Sequence, residues 1–296
     1  MLDLNCGSVK FRKKSFRDFA YRNTLAAMNK SKSVSRRREA MGGLAKGLSV
    51  IRAFTRDRPT MSLSDIAAAT QMPAATTRRC LLTLEELGYV TRSARQFVLR
   101  PKVLELGAAY LESMNIELLT KTHLEELARN TGDSAALCVL DGTEIVYVAR
   151  ASIRTLLRLE AHVGSRFPAH ATSTGRVLLA GLRADHLQQY FGNAKLLALT
   201  DRTVTDPAKL KRLIEECRTS GYSAVEDELA YGVVALAVPV FDQSARVVAA
   251  LNSSSHSRRI SKAKLVRERF AMLQQVSREI SADLASVPGL SLSANP

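Results

Sequence analysis

The stretch from Leu63 to Leu99 narrows the fold more than any other part of the chain. Leu63, Ile66 and Ala67 recur at helical spacing behind Ser62 and Ser64, either of which can cap the helix start. Gln71-Met72-Pro73 breaks the pattern, and Pro73 suits the first turn of a following helix, where a missing N–H costs little. That helix is predicted to run to about Leu87, with Cys80, Leu81, Leu84 and Leu87 facing inward, until Gly88 stops it. Tyr89-Val90-Thr91 and Gln96-Phe97-Val98-Leu99 then read as two short strands around a basic tip, Arg92 to Arg95. Upstream, Leu44, Leu48, Ile51 and Phe54 fall on one face of an earlier helix that ends at Arg56-Asp57-Arg58-Pro59. Helix, helix, turn, helix, hairpin is the order of a winged helix-turn-helix, here over residues 41–101.

Charge gives this unit a partner. The net charge is +15. Residues 1–40 carry +8, residues 41–103 carry +6, and residues 104–296 only +1. The basic excess therefore ends where the hairpin ends, which predicts a polyanion docked on the first third and a different task for the rest. The third helix is predicted to expose Ala74, Ala75, Thr76, Thr77, Arg78 and Arg79 near its start. A major groove admits such a helix and offers acceptors to Arg and methyl contacts to Thr and Ala. Arg92 and Arg95 at the hairpin suit phosphates. Residues 1–40, with Lys13, Lys14, Arg36, Arg37 and Arg38, read as a basic, disordered arm, either a DNA-grasping extension or the product of a mis-assigned start ahead of Met28 or Met41.

Residues 102–122 read as a linker helix. Its apolar stripe of Val103, Leu104, Gly107, Tyr110, Leu111, Met114 and Leu118 can pair with a second copy or pack on its own chain. Residues 123–290 alternate strands and helices, the pattern of an α+β domain with a mostly antiparallel sheet. A hairpin with an Asp141-Gly142 turn joins Ala135–Leu140 to Ile145–Ala149. Leu156–Leu159, Gly221–Val225, Val233–Phe241 and Val247–Ser253 add strands. Ser173–Leu182, Pro207–Ser220 and Ser261–Leu284 are helical.

Other classes find little support. Cys6, Cys80, Cys138 and Cys217 are far apart and form no CxxC pair, so neither a zinc site nor a disulfide framework is indicated, and a cytoplasmic protein fits. The longest apolar stretch, Gly232–Phe241, is too short to span a membrane and contains Pro239. His162, His170, His186 and His256 have no GxSxG elbow, HExxH or Walker loop beside them, so no catalytic residue, metal or cofactor is expected. A single-strand binder would favour aromatic platforms, yet Trp is absent and aromatics total 5%.

Several blocks resemble the IclR family of bacterial regulators. They are Leu44-Ala45-Lys46-Gly47-Leu48-Ser49-Val50-Ile51, Arg79 to Val90, Leu140-Asp141-Gly142 with Tyr147-Val148-Ala149-Arg150, and the distinctive His170 to Ala180. Gly221-Tyr222, Asp227-Glu228, Gly232, Ala237 to Val240 and Ala250-Leu251-Asn252 follow in the family's order. The likeness covers about residues 42–285. It implies an N-terminal all-α winged helix-turn-helix, a C-terminal α+β, GAF-like effector domain with an antiparallel sheet, a double-stranded DNA operator, and homodimers or homotetramers. Leu82-Thr83-Leu84, Leu140-Asp141-Gly142 and Thr203-Val204-Thr205-Asp206 look like the branch that controls aromatic-acid breakdown through the β-ketoadipate pathway. The alternative is another catabolic operon with an unrelated effector.

By the same resemblance, Ser173, Thr174, Ala235, Asn252 and Ser254 match positions lining the effector pocket, and an acidic loop position maps near Val225 or Glu226. Ser173 and Thr174 sit where a loop enters a helix, a setting whose hydroxyls and N–H groups suit a carboxylate. Arg154 and His170 are the candidate cationic partners. The sequence departs from the family pattern at Arg158 and Glu160, at Val234, where an Arg is frequent, and at Pro73-Ala74, where Ser-Arg is commoner.

Overall fold

The computed structural model describes residues 41–113, 115–152 and 161–286, which form two compact units that divide at Ser113. The arm at 1–40, Arg154, the expected strand at Leu156–Leu159, Arg158 and Glu160 lie outside the described residues.

In the N-terminal unit, α1 (Gly42–Ala53), α2 (Leu63–Thr70) and α3 (Ala74–Glu86) pack together above a small sheet. Ser62 starts α2 through a reciprocal capping box: its Oγ accepts from Asp65 N at 3.3 Å and its own N donates to Asp65 Oδ2 at 3.0 Å. The Ser62 hydrogen bonds hold the Asp65 carboxyl below its ordinary pKa. Gln71 ends α2 in the left-handed region at φ 54°. Gly88, at φ +82°, takes the chain from α3 into the hairpin β2 (Val90–Ser93) and β3 (Gln96–Leu99), a conformation that glycine adopts without strain. The sequence pattern does not reveal β1 (Thr60–Ser62), which pairs with β3 and places Met61 opposite Phe97. Met61 is one of only three residues of its strand, too few for a period to register.

The core comprises Val50, Ala53, Met61, Ile66, Leu81, Leu84, Val90 and Phe97. Two expectations need correction. Val50 and Ala53 are the buried residues of α1, and Ile51 and the following Phe54 pack against the core as expected, but Leu44 and Leu48 are exposed. Leu87 is exposed as well: it sits at the C-cap, beyond the last turn that faces the core. After the wing, a 3₁₀ turn at Pro101–Val103 leads into α4 (Leu104–Ser113), which leaves Leu104, Leu106 and Tyr110 exposed.

The C-terminal unit is built on one six-stranded sheet in which every paired strand is antiparallel. Its order is β6 (Arg166–Pro168), β5 (Glu144–Ala151), β4 (Ser134–Asp141), β9 (Val247–His256), β8 (Val233–Phe241), β7 (Ser223–Glu226). The β4–β5 turn residues are Gly142 and Thr143, since Asp141 still pairs with Glu144 inside the ladder; Gly142 supplies the positive φ of 62°. The sheet lies between two helical layers. On one face, α6 (Ser173–Ala180), α7 (Ala184–Asn193) and α8 (Pro207–Ser220) bury Val177, Leu179, Leu210 and Ile214 against Ala136, Cys138, Ala237 and Ala250. On the other, α5 (Ile116–Thr131) and α9 (Lys262–Ala285) pack on β4, β8 and each other. Asp206 caps α8 by accepting from Ala208 N at 2.9 Å, with Pro207 in the first turn.

Candidate functional site

The outer face of α3 carries the first candidate surface. Ala74, Ala75, Arg78 and Arg79 are exposed and Thr76 half-exposed, so these residues share the solvent side of the helix. Thr77 does not join them. It is fully buried, and its Oγ1 donates to Pro73 O at 3.2 Å, because residue 77 lies on the stripe with Leu81 and Leu84. In the wing, Arg92 and Arg95 are both exposed. Arg92 is partly occupied: its Nε donates to Ala94 O at 3.1 Å and its guanidinium stands 6.0 Å from the Phe97 ring, which braces a tip where Ala94 has φ 54°.

The second candidate surface is the face of the C-terminal sheet that meets α6. Ladder register places Val225, Ala235, Ser254 and Ser134 in one row across β7, β8, β9 and β4. The next row holds Ser223, Ala237, Asn252, Ala136 and Arg150. Residues two apart on a strand share a face, so Asn252 and Ser254 look the same way. Val234, between Val233 and Ala235, faces the opposite side and is fully buried, so the departure expected to matter there does not reach this surface.

Ser173 and Thr174 open α6 and are almost fully buried above the sheet. Thr172 caps the helix, its Oγ1 accepting from Gly175 N at 3.0 Å. Burial pushes the thiol of Cys138, in the row beyond Ala136, up, so it stays protonated. The start of α6 packs this closely on the preceding 3₁₀ turn, Ala169–Ala171, because residue 175 is glycine: a Cβ there would sit 2.0 Å from Ala169 O. The helix is then tied down by a buried ion pair between Arg176 and Glu228. Glu228 Oε2 also accepts from Val204 N at 3.3 Å.

A small open cleft lies on this face. It is lined by Ser134, Ala136, Tyr147, Arg150, Ala161, Val233, Ser254 and Ser255. Ser254 is therefore in the wall. Ala235 pairs with it one strand away, and Asn252 stands in the next row, on the same face as Tyr147. Asn252 Oδ1 is buried with no hydrogen-bond partner. His170 is not in the wall. It is buried, its Nε2 reaches Leu197 O at 3.1 Å, and burial lowers its pKa, so it is a neutral structural ring rather than a cation for an acid. Sequence reasoning misses two groups, Tyr147 and Arg150. The signal that could have found them is an arginine inside an otherwise apolar strand, Glu144 to Ala151.

Among the described residues no cluster of His, Cys, Asp or Glu is arranged to hold a metal ion, and no helix is long and apolar enough to cross a membrane. Residues 43–94 match the IclR helix-turn-helix domain, and residues 108–282 match the C-terminal domain of bacterial IclR transcriptional regulators. The chain is 38% identical over 245 residues to the Pca regulon regulatory protein of Pseudomonas putida, covering 82% of this chain and 84% of that protein. It is 32% identical over 250 residues to the p-hydroxybenzoate hydroxylase transcriptional activator of Acinetobacter baylyi, covering 83% and 92%. Among solved structures, a protein of Rhodococcus sp. RHA1 is 40% identical and superposes with a TM-score of 0.74, covering 83% of this chain and 99% of that one. Matched in both units and in order, this chain belongs to the IclR family: it is a helix-turn-helix transcriptional regulator with an effector-binding domain, not an enzyme.

Proposed function

We propose that this regulator reads a double-stranded operator through Ala75, Thr76, Arg78 and Arg79 of α3 with Arg92 and Arg95 of the wing, and that a small aromatic acid in the C-terminal cleft modulates that binding. The observation that carries the proposal is the cleft itself: a pocket on the sheet face with one cation, a tyrosine and serine hydroxyls among small apolar residues, which suits a small, mostly apolar acid. The names of the two relatives agree with it, one governing a pca regulon and the other activating p-hydroxybenzoate hydroxylase. Thr77 is left out of the DNA contacts because it is buried.

Thermal unfolding across a panel of benzoate, hydroxybenzoates, β-ketoadipate, pyruvate and glyoxylate tests the effector class, since a ligand that binds only the folded state raises the melting temperature. Stabilisation by the hydroxybenzoates above the others supports the reading; a response confined to the aliphatic acids overturns it. The exposed Leu104, Leu106 and Tyr110 of α4 are the surface on which a second copy pairs, matching a palindromic operator, and sedimentation of the protein alone reads the resulting mass. The regulator acts in the cytoplasm, where its operator lies.

A further inference from the structure

The geometry points to Arg150 as the residue that receives the carboxylate of the effector, with Tyr147 and Asn252 on the same sheet face reading a hydroxyl at the effector's other end. The inference rests on the small-acid reading above and gives the cleft a direction.

Among the described residues, Arg150 is the only charged side chain in the cleft wall. Its Nη1 donates to Ala161 O and its Nη2 to Ser134 Oγ at 3.2 Å, both neutral acceptors. No carboxylate among the described residues forms an ion pair with it, although Arg166, Arg176, Arg218, Arg246 and Arg259 each have one. A half-buried guanidinium with only neutral partners keeps an uncompensated charge in a region of reduced dielectric, and an anion in the cleft would supply the missing partner. The present bonds use only part of the guanidinium's donor set and fix its plane, so the remaining N–H groups are already oriented when a ligand arrives.

The opposite end is neutral and also incomplete. Arg150, Ala136 and Asn252 stand in one row, with Ala136 paired to both of the others. Two inter-strand spacings separate the backbones of Arg150 and Asn252, about 10 Å, with only a methyl group rising between them. Burial keeps the Tyr147 hydroxyl protonated, so it can donate, and Asn252 Oδ1 lacks a donor. A ring that carries a carboxylate at one end and a hydroxyl at the other meets a cation at Arg150 and a donor–acceptor pair at Tyr147 and Asn252. The Tyr147 ring is itself held edge-on to Phe167, with centroids 5.7 Å apart.

Calorimetry with matched probes tests the assignment. The wild-type protein is titrated with 4-hydroxybenzoate and with 4-hydroxybenzamide, which keeps the ring and hydroxyl but has no charge; Arg150→Gln and Arg150→Lys are titrated with both. The wild type should prefer the acid by at least about tenfold, Arg150→Gln should lose about tenfold to a hundredfold for the acid and little for the amide, and Arg150→Lys should restore part of the preference. A purely structural Arg150 would lower both probes together. Equal affinity of the wild type for acid and amide, or an unchanged acid preference in Arg150→Gln, overturns the assignment. The wild-type comparison stands even if a variant fails to fold. Binding of pyruvate or glyoxylate but neither aromatic probe overturns the aromatic reading as well, which separates that failure from loss of Arg150's role.

Discussion

Tyr147 and Arg150 line the same cleft although they are three residues apart on one strand. The ladder explains it: Leu137 pairs with Ala149 and Cys138 with Tyr147, so Val148 is an extra residue and the alternation of faces shifts by one across it. The bulge is what brings a phenol and a guanidinium together. Tyr147→Phe should keep the ring packing on Phe167 and remove only the hydroxyl. We expect affinity for 4-hydroxybenzoate to fall by about fivefold while that for benzoate stays the same, a difference worth roughly one neutral hydrogen bond. Parallel calorimetric titrations of the two acids check this.

On α3, Arg78 and Arg79 separate from Thr77. Replacing both arginines with alanine should remove operator protection in footprinting and make the logarithmic salt dependence shallower by about 0.9 for each phosphate that is no longer neutralised. Thr77→Val should leave protection intact and cost only about 1 kcal/mol of stability, because the bond to Pro73 O is gone. Loss of protection in Thr77→Val without unfolding would contradict the placement of that side chain.

Gly175 offers a test in which two effects have opposite sign. By helix propensity, Gly175→Ala should stabilise the protein by up to about 1 kcal/mol. The Ala169 backbone lies where the new methyl group must go, with its carbonyl oxygen 2.0 Å away and its Cα 2.4 Å away. Neither atom belongs to a flexible side chain, so α6 has to shift away from the 3₁₀ turn that precedes it. We expect the clash to win, with a net loss of about 3 kcal/mol in urea unfolding.

The Arg176–Glu228 pair should reveal itself by asymmetry. Arg176→Met leaves the Glu228 carboxylate buried with Val204 N as its remaining donor, and should cost about 3–5 kcal/mol. Arg176→Met combined with Glu228→Gln should cost less than Arg176→Met alone, since no charge is then stranded. A double-mutant cycle by chemical denaturation measures the difference.

His170 predicts a pH dependence. Burial lowers its pKa below the ordinary value of 6.5, and the Arg176 charge lowers it further, while the bond to Leu197 O and the Glu228 charge act the other way. The folded state therefore binds fewer protons than the unfolded state around that pH, so stability rises with pH there. The contribution is complete above the unfolded value and is lost as pH falls through and below it. Unfolding free energies across about pH 7.5 to 5.5 should decline for the wild type, and His170→Gln, which can still donate to Leu197 O, should decline less.

Most of the architecture is legible in the sequence because long periodic segments carry their own signal. Val233–Phe241 and Pro207–Ser220 are observed with the bounds read from the sequence. Short elements are not legible: β6 has three residues, and α7 (Ala184–Asn193) lacks a distinct start signal, since Arg183 caps it without a side-chain bond. Within the site, Ser254 and Asn252 are legible from motif order. Arg150 stands inside a family motif without being marked as a site residue, because period-two reasoning puts it on the face opposite Tyr147 and only the bulge reverses that. Thr77 fails for a related reason: composition singles out a polar residue near a helix start, whereas the i, i+4, i+7 stripe with Leu81 and Leu84 decides its direction.

The C-terminal unit is closed by residues far apart in the chain. Asp133, fully buried just after α5, pairs with Arg259 and lies 3.6 Å from Arg269 Nε, and those two arginines also cap the α5 carbonyls of Thr131 and Gly132. The Asp133–Arg259 contact spans 126 positions of sequence, whereas the N-terminal unit is complete by Ser113. On a ribosome the two units therefore finish at different times. The DNA reader has all its core residues when Ser113 has left the exit tunnel, but Asp133 of the sensor has no cationic partner until Arg259, just ahead of α9, emerges. A nascent or prematurely ended chain would thus present a folded reader before it has a sensor to govern it.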